Sequence, residues 1–169
     1  MLQVDLRELA LGPVETRGEL ATDDPLLAGL PMTLAEPVRV AGRLQATGED
    51  RLYWHGTLDT RVSGECRRCL AAVSVAVHAD IGALFVRDPD AQDDPDSYAL
   101  GADATVVDVT PAAREELFLA VPEFVLCRED CRGLCPRCGQ DLNSSPCGCA
   151  PSPDLRWAVL TALKDKPRS

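Results

Sequence analysis

The 169-residue chain has no long hydrophobic run. A helix that crosses a bilayer needs roughly 20 apolar residues, and even the apolar stretch 70–86 is interrupted by Ser74, His78 and Asp80. The first fifteen residues mix acids with bases and contain no unbroken apolar segment, unlike a secretory signal. The sequence therefore predicts a soluble, at most peripheral, cytoplasmic protein without a membrane partner.

Histidine is scarce and the common catalytic motifs are missing. His55 and His78 have no serine, cysteine or acid partner at a recognisable catalytic spacing. The chain also has no G-x-S-x-G, no phosphate-binding glycine loop, no H-E-x-x-H and no dinucleotide fingerprint. We therefore expect no enzymatic activity and no catalytic or organic-cofactor residues, and we treat both histidines as surface or structural residues.

Bases are outnumbered by acids, 17 to 27, which leaves a net charge of -10. Binding to nucleic acid phosphates needs lysine and arginine, so DNA binding is not expected and extensive RNA contact is disfavoured. Seven of the acids lie in residues 88–108, which contain no base. This segment predicts a mobile acidic loop, which is either simply solvated or able to mimic nucleic acid or to bind a basic ribosomal protein.

Cysteine is abundant by contrast, and six of the eight cysteines fall between Cys127 and Cys149. The intervening glycines and prolines favour tight loops and cannot build a hydrophobic core, so this module needs disulfides or a metal to hold it. Thiols in a reducing cytosol stay free, and paired cysteines at C-x2-C spacing then indicate zinc.

The eight cysteines fall into four pairs, and a zinc ion takes four thiolates in a tetrahedron. The sequence therefore predicts two zinc sites. The pair beginning at Cys66 meets either the pair beginning at Cys127 or the pair beginning at Cys147, and the other two pairs then form the second site. The predicted ligands are Cys66, Cys69, Cys127, Cys131, Cys135, Cys138, Cys147 and Cys149.

Alternating apolar residues predict antiparallel strands on both sides of Cys66 and Cys69. The pattern runs through residues 52–62 before the cysteine pair and residues 73–85 after it, so the pair lies at a hairpin tip. Further strands are expected at residues 2–6, 14–20 (or a short turn there), 38–44 and 106–109.

Two helices are predicted, the first capped by Thr110 and ended by Pro122, the second beginning near Ser152. The fold class is α+β, a mainly antiparallel sheet or partial barrel with two helices and a cysteine-rich zinc module. We expect a β-rich core in residues 1–126 with the acidic loop 88–108, a zinc module in 127–150, and a C-terminal helix in 151–169 that packs back on the core.

Five arginines lie between or beside the cysteine pairs: Arg67, Arg68, Arg128, Arg132 and Arg137. Guanidinium groups there either contact RNA phosphates or protein carboxylates, or neutralise the anionic thiolates. Two other functions remain open on the same cysteines. One is a thiol redox sensor or zinc-release switch, and the other is an oxidoreductase that uses Cys135 and Cys138.

Two motifs stand out together, C-R-R-C-L at 66–70 and G-L-C-P-R-C-G-Q-D-L-N at 133–143. With these motifs the chain resembles the YceD family of bacterial and plastid proteins, and the resemblance extends to the Glu115-Glu116-Leu117 segment and to residues 157–164. It implies a non-enzymatic cytoplasmic protein needed for accumulation of large-subunit ribosomal RNA, with no catalytic residues. A ribosomal protein or pre-ribosomal large-subunit RNA is the implied partner.

Overall fold

The chain folds around a six-stranded sheet in a computed structural model that describes residues 2–48, 50–87, 97–150 and 156. A two-stranded sheet, one α-helix and two short 3-10 helices complete the regular structure of these residues. The strands are β1 (Gln3–Asp5), β2 (Val14–Leu20), β3 (Thr33–Leu34), β4 (Val38–Ala46), β5 (Arg51–Glu65), β6 (Ala72–Val86), β7 (Ser97–Ala99) and β8 (Val106–Asp108), the α-helix is α1 (Thr110–Ala120), and the 3-10 helices are Glu8–Leu11 and Pro25–Leu27.

Two long strands, β5 and β6, form the centre of the sheet. They pair antiparallel from Arg51 opposite Val86 to Glu65 opposite Ala72, so the hairpin ends at the first cysteine pair. β4 pairs antiparallel with β5, and β2 with β4. The antiparallel strands predicted from alternation are therefore confirmed, including the strand at residues 14–20.

The core lies on the face that receives the even-numbered side chains of β5. Trp54 is fully buried there, and its Nε1–H donates to Thr16 Oγ1 over 2.9 Å. Gly42 and Gly56 lie opposite each other on adjacent strands, and a Cβ on either would come within 2.6 Å of the Trp54 ring. The two glycines therefore leave the space that the indole occupies.

The helix α1 packs against β6 and closes the core with Ala112, Ala113 and Leu117. Its N-cap is Val109, so the predicted cap at Thr110 is wrong by one position. The carboxylate of Asp108 supplies the capping contact, accepting from the Thr110 backbone N–H over 2.8 Å. No helix among the described residues has the length and apolarity needed to cross a membrane.

The predicted acidic loop is wrong at residues 97–99. Ser97–Ala99 is β7, which adds parallel to β6, and Tyr98 stacks on Phe85 with ring centroids 5.2 Å apart. Residues 106–108 form β8, which pairs antiparallel with β1, so the strand predicted at residues 106–109 is confirmed. Residues 88–96 of the predicted loop lie outside the described residues.

The fold class is confirmed in part. The sheet is mainly antiparallel, with β2 and β7 at its ends, and does not close into a barrel. The prediction of two helices is not matched, because the described residues contain one α-helix. The second predicted helix, residues 151–169, lies outside them apart from Arg156, and the division of the chain into three parts stays a prediction.

Candidate metal centres

Two C-x2-C turns in the chain have the same backbone geometry. In the first, Cys66 N–H donates to Ala71 O and Leu70 N–H donates to Cys66 O, both over 2.8 Å. In the second, Cys135 N–H donates to Gln140 O over 2.8 Å and the residue after Cys138 donates to Cys135 O over 2.9 Å. Both turns are therefore zinc-knuckle turns, which direct two sulfurs to one point.

The residue that follows each turn has a left-handed backbone, with φ of 60° at Leu70 and 73° at Gly139. Glycine adopts this region without steric cost, whereas a side chain disfavours it. The sequence indicated this conformation at Gly139. At Leu70 only the structure reveals it.

Site 1 is formed by Cys66, Cys69, Cys127 and Cys131, whose four Sγ atoms all lie within 4.8 Å of one another. Sγ of Cys69 lies 3.5 Å from Sγ of Cys127, and Sγ of Cys66 lies 3.8 Å from Sγ of Cys131. Cys66 and Cys131 are buried and Cys127 is exposed, so the site has a closed side and an open side.

Site 1 joins parts of the chain that are distant in sequence, and the backbone shows how. After α1, the chain returns to the end of β5, where Val125 forms a parallel bridge with Cys66 and its carbonyl accepts from Arg67 N–H over 3.0 Å. This contact places Cys127 and Cys131 beside the hairpin tip. The structure thus has the first of the two groupings that the sequence left open.

Site 2 is formed by Cys135, Cys138, Cys147 and Cys149, again with all four Sγ atoms within 4.8 Å of one another. Cys135 is buried and Cys138 is exposed, while the Cys147–Cys149 pair is half-buried. The structure therefore brings together every cysteine that the sequence singled out, in two separate tetrads.

The sulfur separations fit a tetrahedral ion. Four sulfurs about 2.3 Å from a central zinc ion lie about 3.8 Å apart, whereas a disulfide brings two sulfurs to about 2.05 Å. The measured 3.5 and 3.8 Å of site 1 match the first arrangement, and all eight cysteines are free. An all-sulfur donor set also suits zinc chemically.

Backbone N–H groups lower the pKa of one cysteine in each site. Burial opposes ionisation of Cys66, but hydrogen bonds from the backbone N–H groups of Cys127, Arg68 and Cys69 prevail and lower its pKa to about 6. The backbone N–H groups of Cys138 and Arg137 lower the pKa of Cys135 to about 6.

The neighbouring thiols show the opposite effect. Hydrogen bonding to the Cys69 and Cys131 side chains raises the pKa of Cys127 to about 12. In site 2, the Cys138 and Cys135 side chains raise the pKa of Cys149 to about 12 in the same way. Close thiols cannot all ionise without a compensating charge, and a dication supplies that charge.

The five arginines between or beside the cysteine pairs are all exposed. Arg68 Nη1 donates to Cys131 O over 2.8 Å, and Arg128 Nη2 donates to Asn143 Oδ1 over 2.9 Å. Arg67 lies over the Phe124 ring, 4.4 Å from its centroid. Arg68 and Arg128 therefore support the zinc module directly, and Arg67 packs on the segment that leads into it.

Sequence reasoning assigned no role to Asn143, although it belongs to the quoted 133–143 motif. Its Nδ2 lies 3.5 Å from Cys131 Sγ, which makes it an outer partner of site 1. The sequence pattern shows no signal for this contact, because Asn143 lies in the loop of site 2.

The histidines lie outside both clusters, as the sequence indicated. His55 is exposed, and His78 Nδ1 hydrogen-bonds to Asp59 Oδ1 over 2.8 Å, with both side chains largely exposed. The Asp59 carboxylate raises the pKa of His78.

Comparison with known proteins supports the family resemblance. The family model described as "Large ribosomal RNA subunit accumulation protein YceD" matches residues 54–164, which include most of β5, all of β6 and α1, and both cysteine tetrads. The chain belongs to the YceD family. The family is described by an accumulation role and not by a reaction.

The mycobacterial relatives of this YceD chain are described as uncharacterised proteins. Proteins of Mycobacterium bovis and Mycobacterium tuberculosis are each 34% identical over 111 residues, which are 64% of this chain and 53% of the relative. A protein of Mycobacterium leprae is 30% identical over 141 residues, 80% of this chain and 64% of the relative. The matches thus span about half to two thirds of the length of these relatives. No solved structure matches the chain.

Proposed function

We propose that the chain is a non-enzymatic, two-zinc cytoplasmic factor that supports large ribosomal subunit assembly or large-subunit rRNA accumulation. The observation that carries this proposal is the pair of four-sulfur clusters in a chain of the YceD family. All eight cysteines are the proposed ligands. The ions would be structural, since every position around a tetrahedral ion is taken by a thiolate.

Zinc would supply stability that the sequence around it lacks. The module between Cys127 and Cys149 buries few apolar side chains, and metal-binding energy appears directly as folding energy in such modules. Site 1 would tie this module to the hairpin tip. The module and the hairpin tip would then form one rigid surface that can bind a partner.

The proposed partner is a basic ribosomal protein. The net charge of -10 favours a basic surface over RNA phosphates, and neither DNA nor a membrane is expected. Pre-ribosomal large-subunit RNA is the alternative, because the five arginines between or beside the cysteine pairs are exposed. A pull-down with the tagged chain, with and without ribonuclease, separates the two. Capture that survives ribonuclease indicates the protein, and capture that is lost indicates RNA.

Depletion followed by complementation tests the cellular role. Depletion should lower the large-subunit peak in a sucrose gradient and the large-subunit rRNA level. Wild type and a Ser144→Ala variant, which loses the hydrogen bond from Ser144 Oγ to the Asp141 carbonyl, should restore both. A Cys69→Ser/Cys127→Ser variant should not. Normal subunit ratios in the depleted strain would contradict the proposal.

A second candidate function, a thiol redox switch, is favoured by the 3.5 Å separation between Cys69 and Cys127 Sγ. Two zinc-bound thiolates would give two electrons to hydrogen peroxide, form one S–S bond, and release Zn²⁺ and two hydroxide ions. Mild peroxide should then release zinc and weaken partner capture, and retention of zinc would exclude this function.

An oxidoreductase is less well supported. It needs an exposed thiolate of low pKa, and Cys135, whose pKa is lowered, is buried.

A further inference from the structure

Asn143 connects the two cysteine tetrads. It lies between Cys138 and Cys147, within the loop that site 2 closes, yet its Nδ2 lies 3.5 Å from Sγ of Cys131 in site 1. An N–H that donates to a thiolate disperses its charge and holds the sulfur in position, which is how outer partners support metal ligands.

The orientation of the Asn143 amide is set by its other partners. Its Oδ1 accepts from the Arg132 backbone N–H over 2.8 Å and from Arg128 Nη2 over 2.9 Å. Both of those groups only donate, so the oxygen must face them and the nitrogen must face Cys131. Nδ2 also donates to Asp141 Oδ1 over 2.7 Å. The amide has a partner on every side.

The backbone between the two sites is short and closely docked. Only Arg132, Gly133 and Leu134 separate the last ligand of site 1 from the first ligand of site 2. Leu134 N–H donates to Arg68 O in the first knuckle over 2.9 Å, and Gly133 O accepts from Leu142 N–H over 2.9 Å. Ordering of the site 2 loop therefore places groups against site 1.

We propose that Asn143 is a positioning residue that couples metal binding at the two sites. An ion in site 2 orders the loop that carries Asn143, so the conformational entropy of placing its amide on Cys131 is already lost when site 1 binds its ion. Site 1 then binds more tightly, and by thermodynamic linkage an ion in site 1 strengthens site 2 by the same factor. This inference rests on the two-metal part of the proposed function.

Cadmium-113 is a suitable probe, because each tetrathiolate site gives its own NMR resonance while the full chain keeps its sulfur ligands. With less than one equivalent of cadmium, coupling predicts more chains with both sites filled than the product of the two site occupancies, which the two resonance intensities give. Native mass spectrometry of the same samples counts the doubly loaded chains, and a fraction no larger than that product would contradict the coupling. This measurement needs no variant.

Variants then assign the coupling to Asn143. Asn143→Ala should lower the cadmium affinity of site 1, measured by chelator competition, about tenfold or more, the usual cost of losing an outer partner. Asn143→Asp keeps the acceptor for Arg132 and Arg128 but loses the N–H donor to Cys131. It should therefore lower the cadmium affinity of site 1 by at least the same factor. Ser144→Ala, in the same loop without a sulfur contact, should leave the affinity unchanged.

A double-mutant cycle completes the test. Cys147→Ser/Cys149→Ser removes site 2 and should lower site 1 affinity in the wild-type background, but by much less in the Asn143→Ala background. An equal loss in both backgrounds, or an unchanged affinity in Asn143→Ala, would overturn the coupling while two-metal binding stands. Failure of the wild-type chain to bind cadmium at all would overturn the two-metal proposal itself.

Discussion

Site 1 should contribute more to the stability of the whole chain than site 2, because it closes the longer loop. Cys69 and Cys127 are 58 residues apart in sequence. By the loop-entropy relation used for cross-links, holding such a loop closed removes about 4 kcal/mol of unfolded-state entropy. The loop between Cys138 and Cys147 spans about ten residues, and closing it is worth about 2.5 kcal/mol.

Two double variants with matched exposure test this difference. Cys69→Ser/Cys127→Ser removes one half-buried and one exposed ligand from site 1, and Cys138→Ser/Cys147→Ser does the same in site 2. The site 1 variant should lose about 4 kcal/mol, which at a urea slope of about 2 kcal/mol per molar lowers the unfolding midpoint by about 2 M. The site 2 variant should lose about 1.5 kcal/mol less.

Urea unfolding followed by tryptophan fluorescence is the assay, because Trp54 is fully buried in the sheet. Zinc content should be one ion per chain in both variants. If the two midpoints are equal, or the site 2 variant has the lower midpoint, closure of the long loop does not determine the contribution of site 1 and the reasoning is wrong.

Two further predictions concern local contacts. Gly133→Ala should cost about 3 kcal/mol, because its backbone is left-handed (φ 73°) and the new Cβ would lie 2.8 Å from Arg68 O. Gly139→Ala has the same φ but open space, so it should cost only about 1 kcal/mol, and equal losses in thermal unfolding would contradict the clash. Partial burial opposes ionisation of Asp108, but the hydrogen bond from Thr110 prevails and lowers its pKa. This stabilisation is present above the usual carboxyl pKa and is lost as pH falls through the lowered value. Asp108→Ala should therefore lower the free energy of unfolding by about 1 kcal/mol at pH 7, and this difference from the wild type should shrink in acid. A difference that does not change with pH would contradict the assignment.

The two longest strands could be predicted because burial imposes a period of two on their sequence. In β5, Leu52, Trp54, Leu58 and Val62 alternate with exposed residues, and all four are buried in the structure. The short strand β7 could not be predicted in this way. Its acidic context indicates a loop, and it forms because Tyr98 stacks on Phe85 of the neighbouring strand.

The N-cap of α1 shows a second limit of prediction from sequence. Thr110 and Pro111 both favour a helix start, but local preference does not decide which residue is the cap. Asp108 decides it through a carboxylate contact to Thr110 and a second one, over 3.0 Å, to Gln3 on β1. The pairing of β1 with β8 brings that second partner close, across most of the chain.

Four cysteine pairs and two knuckle turns could be predicted from the sequence, because cysteine spacing and turn residues act over a few positions. The grouping of the pairs into tetrads could not, since it depends on the end of β5 bonding to Val125 after α1. The contact of Asn143 with Cys131 of the other tetrad likewise depends on the folded chain. Contacts between residues far apart in the chain leave no mark on local spacing, so the folded chain alone reveals them.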